Sequence, residues 1–257
     1  MIKENEHPKL TLVGAGIGDP DLITLKGIKA LKQAKVVLYD ALVSEELLEY
    51  ASPEAELVFV GKRVGMHSYK QEEINKLIVS YAFSKGHVVR LKGGDPYIFG
   101  RGHEELTYAR KFGISVNYVP GISSSIAAAG LQHIPLTRRH VSESLWVLTG
   151  TTKDEQVSSD IHLAAKSTAT IVILMGTRKL RQIMEVFAGE GKSETPVAII
   201  QNSSMANEKV VLGTVDTIVE EAAKEQVASP AVIVVGEVVR MHQQYPEKLQ
   251  ELVAQAV

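Results

Sequence analysis

The chain has 257 residues, of which 45% are hydrophobic and 23% charged, enough for one large or two small α/β domains with a buried core. Its formal charge of −2 offers no global field for nucleic acid or an anionic membrane surface, so an anionic ligand has to be met by local arginines and lysines. Cysteine is absent, which excludes disulfides, thiolate zinc sites, iron–sulfur clusters and a cysteine nucleophile.

The opening MIKENEHPKL lacks the apolar core of a signal peptide, and no apolar run approaches the ~18 residues of a membrane span, so a cytoplasmic protein is expected. The first apolar run, Leu10 to Val13, leads into VGAGIGDP (13–20). A strand, a glycine cluster, a following helix and Asp40 at the end of the next strand match the layout of a dinucleotide site. The spacing does not match: Gly14, Gly16 and Gly18 are followed by Asp19 where the fingerprint needs a third small residue. Asp19 as N-cap and Pro20 as first helical residue would put the protein's own anion at the helix end, against any pyrophosphate. A tight strand-to-helix turn without a ligand is the alternative.

Leu22, Leu25, Ile28 and Leu31 are spaced to line one face of a helix over 21–34, and Ile74, Leu77, Ile78 and Tyr81 do the same over 71–85, which Gly86 can cap. Between and after these, short apolar runs read as strands at 36–39, 57–61, 88–94, 115–121, 145–150, 170–176, 196–200 and 231–236. Near-continuous runs of this kind suit sheets covered on both faces, so alternation of strand and helix gives an α/β class. PGISSSIAAAG (120–130) and TTKDEQVSSD (151–160) place a boundary between two α/β lobes near 120 to 140.

LKGGDPYIFGRGHEE (91–105) carries more chemistry. Gly93 and Gly94 let the backbone approach a ligand, and Asp95 brings a negative charge to the C-terminal end of a strand, where α/β sites form. That combination suits a cationic or hydroxyl-rich ligand better than a phosphate. None of the eight histidines forms an HxH, HxxH or HExxH set, so no metal site is expected.

With this loop the sequence resembles the tetrapyrrole methylases. The resemblance runs from about residue 10 to 240 through VGAGIGDP, LTLKGIKAL, VVLYDALVS, VGKRVGMHS, VVRLKGGDPYIFGRG, VPGISSSIAAA, GLQHIPLTRR, LMG and SPAVIVVGEVV, all in the family's order. It implies two α/β domains with mixed sheets, residues 1–122 and 123–257, an active site in the cleft between them, and a homodimer. It also implies S-adenosylmethionine (SAM) as co-substrate, bound at Ile17, Gly93, Gly94, Asp95, Ile98, Ser123, Ser124, Met175 and Ser203. Ile17, Ser123-Ser124 and Ser203 depart from the family's usual Pro, Thr-Ala or Thr-Ser, and Gly. By residue type, Asp95 fits a cap as well as a sulfonium partner, and Met175 fits a core position.

The resemblance implies Asp40 as proton acceptor and Lys62 as proton donor, and uroporphyrinogen III as acceptor of the methyl groups. An ion-pair role for Asp40 or Lys62 is the alternative. The substrate's ring of carboxylates calls for arginine forks, which points to Arg101 with Glu104 beside the GGD loop and to Arg139 after PLT. Another tetrapyrrole or diphthine methylase would share the SAM residues without the substrate arginines. A nucleotide-dependent oxidoreductase or a non-catalytic binding protein would use the glycine loops without methyl transfer.

Overall fold

In the computed structural model, residues 7–61 and 69–245 are described. The chain divides into two compact units, residues 1–123 and 124–257.

In the first unit, β1 (Lys9–Gly14), β2 (Val36–Tyr39), β3 (Glu56–Phe59), β4 (His87–Lys92) and β5 (Ser115–Val119) form one sheet in the order β3-β2-β4-β1-β5. Every pairing in it is parallel. The expected mixed character is therefore confined to the second unit. The reason is connectivity: α1 (Leu25–Lys32), α2 (Gln71–Lys85) and α3 (Gly102–Arg110) each carry the chain back to the start of the next strand.

Strand alternation sends successive side chains to opposite faces. Leu10, Leu12, Val36, Leu38 and Val88 pack with Ile74, Ile78 and Ala82 of α2 and with Leu106 and Ala109 of α3. Val13, Val37, Val89, Leu91 and Val119 pack on the other face with Ala30 and Leu31 of α1 and with Leu47. The chain thus leaves β1 toward one face and the neighbouring β4 toward the other, which makes their C-terminal ends a switch point of the topology.

The helix foreseen over 21–34 begins later. Asp19 caps only a 3-10 turn at Pro20–Leu22, its carboxylate accepting from the Asp21 N–H at 2.8 Å. Thr24 then caps α1 by accepting from the Gly27 N–H at 3.1 Å. The restart moves the buried stripe to Gly27, Ala30 and Leu31, and Leu25, expected on the apolar face, is 77% exposed. The α2 reading holds at both ends, with Gly86 at φ 95° as its cap.

The second unit opens with α4 (Ser124–Leu131) and is built on β6 (Leu145–Thr149), β7 (Thr170–Leu174), β8 (Pro196–Gln201), β9 (Lys209–Thr214) and β10 (Ala231–Val235). Their order is β6-β7-β10-β8-β9, with β6 and β7 parallel and the other pairs antiparallel. The helices α5 (Asp160–Lys166), α6 (Leu180–Gly189) and α7 (Ile218–Lys224) supply Ile161, Ile183, Phe187 and Ile218 to the core on one face. Strand β9 has no counterpart in the sequence reading. It is an edge strand with one fully buried residue, Val211, so its apolar signal is short. No helix among the described residues is long and apolar enough to cross a membrane.

Candidate active site

The glycine loop after β1 is closed by backbone rather than open to a ligand's phosphates. Gly94 N–H donates to Gly16 O at 2.7 Å, Gly16 N–H returns a bond to Gly94 O at 3.3 Å, and Ala15 N–H donates to Lys92 O at 2.8 Å. Gly14 and Gly121 meet without side chains: a Cβ on Gly121 would lie 2.2 Å from Gly94 O and 2.6 Å from Gly14 Cα. Three loops, from the ends of β1, β4 and β5, are thereby welded main chain to main chain. Ile17 is buried beside this weld.

Asp95 ties two of these loops, those after β4 and β5, by charge-assisted hydrogen bonds. Its Oδ1 accepts from the Tyr97 N–H at 2.7 Å, and its Oδ2 accepts from the Tyr118 hydroxyl at 2.5 Å and the Gly121 N–H at 3.0 Å. Burial and the bond to Asp95 push the Tyr118 hydroxyl well above the ordinary tyrosine value. The Tyr118 ring stacks on Tyr97 with centroids 4.2 Å apart. Gly94 has φ +65°, and a Cβ there would meet only Ser123 Cα at 4.0 Å, so the space on that side of the backbone is open. Ile98 stands exposed at the turn, and Ser123 is buried.

Asp40, directly after β2, joins this region. Its Oδ1 accepts from the N–H groups of Leu42 at 3.2 Å and Gly93 at 3.4 Å, and its Oδ2 lies 3.4 Å from Arg90 Nη2. Asp40 also lines a cavity of about 550 Å³, together with Leu42, Gly61, Tyr69, Gln71 and Arg101. Lys62, the expected proton donor, lies outside the described residues.

A buried charge cluster behind Asp40 was missed by the sequence reading. Arg90 and Lys92 share the face of β4 that carries Val88, and meet Glu105 of α3. Glu105 Oε1 accepts from Arg90 Nε at 3.3 Å, Lys92 Nζ at 3.2 Å and Gln71 Nε2 at 3.0 Å, while Oε2 has no partner among the described residues. Burial and the nearby Arg90 lower the Lys92 ammonium, against the pull of Glu105. Burial alone would raise the Glu105 carboxyl, but Arg90, Lys92 and Gln71 hold it below the usual carboxylate value. The available signal was two cations two residues apart in an apolar strand, which puts both on one buried face.

Arg101 opens α3 at φ +59° and forms a bidentate pair with Glu104, Nε to Oε1 at 2.8 Å and Nη2 to Oε2 at 2.6 Å. Two of the three expected substrate residues are thus brought together, on the surface. Arg139 is exposed in the turn that Arg138 and Ser142 close with two backbone bonds.

In the second unit, Met175 is not a core residue. It is 53% exposed at φ +55°, between the end of β7 and Gly176, and its carbonyl accepts from Thr151 Oγ1 at 2.8 Å. Left-handed backbone at a non-glycine residue is costly and concentrates at functional loops. Asn202 and Ser204 share this conformation in the loop after β8, and Ser203 Oγ between them is buried without a hydrogen-bond partner among the described residues. Ser124 begins α4.

The chain belongs to the tetrapyrrole (corrin/porphyrin) methylases, whose family pattern matches residues 9–219. It is 49% identical over 235 residues to the uroporphyrinogen-III C-methyltransferase of Methanocaldococcus jannaschii, covering 91% of this chain and 97% of that one. Among solved structures it resembles a uroporphyrin-III C-methyl transferase from Thermus thermophilus complexed with S-adenyl homocysteine, with TM-score 0.78 and 37% identity over 90% of this chain and 99% of that one. A cobalt precorrin-4 methyltransferase is also similar, with TM-score 0.82 and 30% identity over 93% and 99% of the two chains.

Proposed function

We propose that this protein transfers two methyl groups in succession from SAM to uroporphyrinogen III, giving precorrin-2 for sirohaem or cobalamin synthesis. The observation that carries the reading is the closed glycine loop. With Gly16 bonded to Gly94 and Asp19 capping the turn, the place for a dinucleotide's phosphates is filled. What remains beside it suits a cation: the half-buried glycines Gly93 and Gly94, which carry no side chain, and the carboxylate of Asp95.

By the resemblance SAM would be held by Ile17, Gly93, Gly94, Asp95, Ile98, Ser123, Ser124, Met175 and Ser203. The Ser203 hydroxyl, without a partner among the described residues, and the open side of Gly94 fit a ligand with its own donors and acceptors. Asp95 keeps lone-pair capacity on Oδ1 beyond its bond to Tyr97.

In the reaction a pyrrole carbon forms a bond to the methyl carbon as the C–S bond breaks, and the electron pair leaves with sulfur as S-adenosylhomocysteine (SAH). The resulting cation is discharged by loss of a proton, which Asp40 accepts, and Lys62 serves as donor. Glu104 orients Arg101 through Nε and Nη2, leaving the Nη1 donors for a substrate carboxylate, and Arg139 meets another. By the same resemblance the working unit is a homodimer, and the sequence pattern favours the cytoplasm as its place.

Incubation with anaerobically prepared uroporphyrinogen III and methyl-labelled SAM tests the reading. Mass analysis is expected to show a product carrying two added methyls. Protein that is folded and binds SAH but leaves the substrate unmethylated refutes it, and preference for NAD over SAH in equilibrium binding favours an oxidoreductase.

A further inference from the structure

The charge cluster behind Asp40 has a geometry that its stability does not require. Replacing a buried ion cluster by apolar side chains of similar volume is often neutral or stabilising, so burial of Arg90, Lys92 and Glu105 is not explained by folding alone. The contacts of Arg90 are directional. Its Nη1 donates to the carbonyls of Leu38 at 3.3 Å and Leu91 at 2.9 Å, and its Nε to Glu105 Oε1. These three partners fix the plane of the guanidinium. Nη2 is the edge left over, and it reaches Asp40 Oδ2.

Glu105 is fixed in turn. Its side chain is 0% exposed, and Lys92 and Gln71 converge on the same oxygen that holds Arg90. The chain of contacts therefore runs from α2 and α3, through two residues of β4, to the one acid of the cluster that borders the cavity; the Asp40 side chain is 23% exposed.

We propose that Arg90 is a positioning residue that acts on methyl transfer through Asp40, and that Glu105 anchors Arg90 in the pose that does so. The proposal rests on the reading of Asp40 as proton acceptor. Arg90 holds Oδ2 while the main-chain N–H groups of Leu42 and Gly93 hold Oδ1, so that the plane of the carboxylate is fixed at the edge of the cavity. Lysine cannot reproduce this, since a single ammonium cannot bond two carbonyls and two carboxylates in one plane.

A double-mutant cycle tests it, read as single-turnover methyl transfer from labelled SAM, with SAH affinity and thermal unfolding measured on each variant. Arg90→Lys is expected to lower the transfer rate on the order of 30- to 100-fold, a share of what a positioned base contributes, with SAH affinity and the KM for uroporphyrinogen III within about twofold. Asp40→Asn is expected to cost about 100-fold or more. Arg90→Lys added to Asp40→Asn is expected to cost less than about threefold further, because Arg90 then has no base to position.

Multiplicative losses in the double variant overturn the proposal, as does a wild-type rate in Arg90→Lys. A wild-type rate in Asp40→Asn instead removes the reading of Asp40, and the proposal with it. Should Arg90→Lys fail to fold, Glu105→Gln gives the same cycle. Its neutral oxygen still accepts from Arg90 Nε, so about a tenfold loss is expected, milder than in Glu105→Ala and absent in the Asp40→Asn background; a loss that persists there overturns the anchoring role.

Discussion

The two five-stranded sheets bury their polar groups differently. In the first unit Arg90, Lys92, Asp95 and Glu105 are all buried at the C-terminal ends of strands or on the helix above them. In the second, no lysine, arginine, aspartate or glutamate among the described residues is buried, and the core is closed by Ile, Val, Ala and Phe. The second unit carries its irregularity in the backbone instead, at Met175, Asn202 and Ser204. A parallel sheet brings the C-terminal ends of all its strands to one edge, so charges placed there can converge. The mixed sheet divides those ends between two edges.

The largest expected effects test this contrast directly. Glu105→Ala strands two buried cations and is expected to cost about 3–5 kcal/mol. Phe187→Ala, in the second core, is expected to cost about 3–5 kcal/mol by leaving a cavity. Their pH dependences should differ. The Glu105 carboxyl is held below its usual value, so its contribution is complete above about pH 4.5 and is lost as pH falls through the lowered folded-state value. Thermal unfolding followed down to about pH 3 should show the wild-type advantage over Glu105→Ala shrinking and the advantage over Phe187→Ala unchanged. Parallel curves would mean that ionisation has no special share in the first core.

Asp95→Asn comes next, at about 1–3 kcal/mol, because the amide cannot accept from Tyr97 N–H, Gly121 N–H and Tyr118 together. Alkaline absorbance titration should find the Tyr118 hydroxyl ionising closer to the ordinary tyrosine range. Calorimetry should find SAH bound on the order of tenfold more weakly, as for loss of one strong polar contact. The smallest change in stability, within about 0.5 kcal/mol, is expected of Arg101→Ala, whose exposed pair is screened by solvent. That variant should keep its SAH affinity and lose methyl transfer; the reverse result would exchange the roles assigned to Asp95 and Arg101.

The sequence made some of this visible and hid the rest for physical reasons. Asp40 after its strand, α2 with its glycine cap and the Asp19 turn are local features, written in neighbouring residues. Leu25 was misplaced because Thr24 restarts the helix and rotates its buried stripe, a competition between two caps that periodicity does not register. Met175 was open to a core reading because residue type says nothing of a left-handed backbone. Glu105 escaped notice because its partners lie 13 and 15 residues earlier, on another element; only the fold sets α3 over β4. Such pairing is tertiary information, carried by no segment alone.

The bond pair between Gly16 and Gly94 limits what this scaffold can become. An engineer seeking to convert the site to a nicotinamide cofactor would begin by replacing Asp19 with glycine, restoring the familiar fingerprint. That edit would free the turn but not the main-chain groups of Gly16, which are spent on the neighbouring strand's loop. Specificity here is wired into the backbone, out of reach of any single side-chain exchange, and a change of ligand class would require re-threading two loops at once.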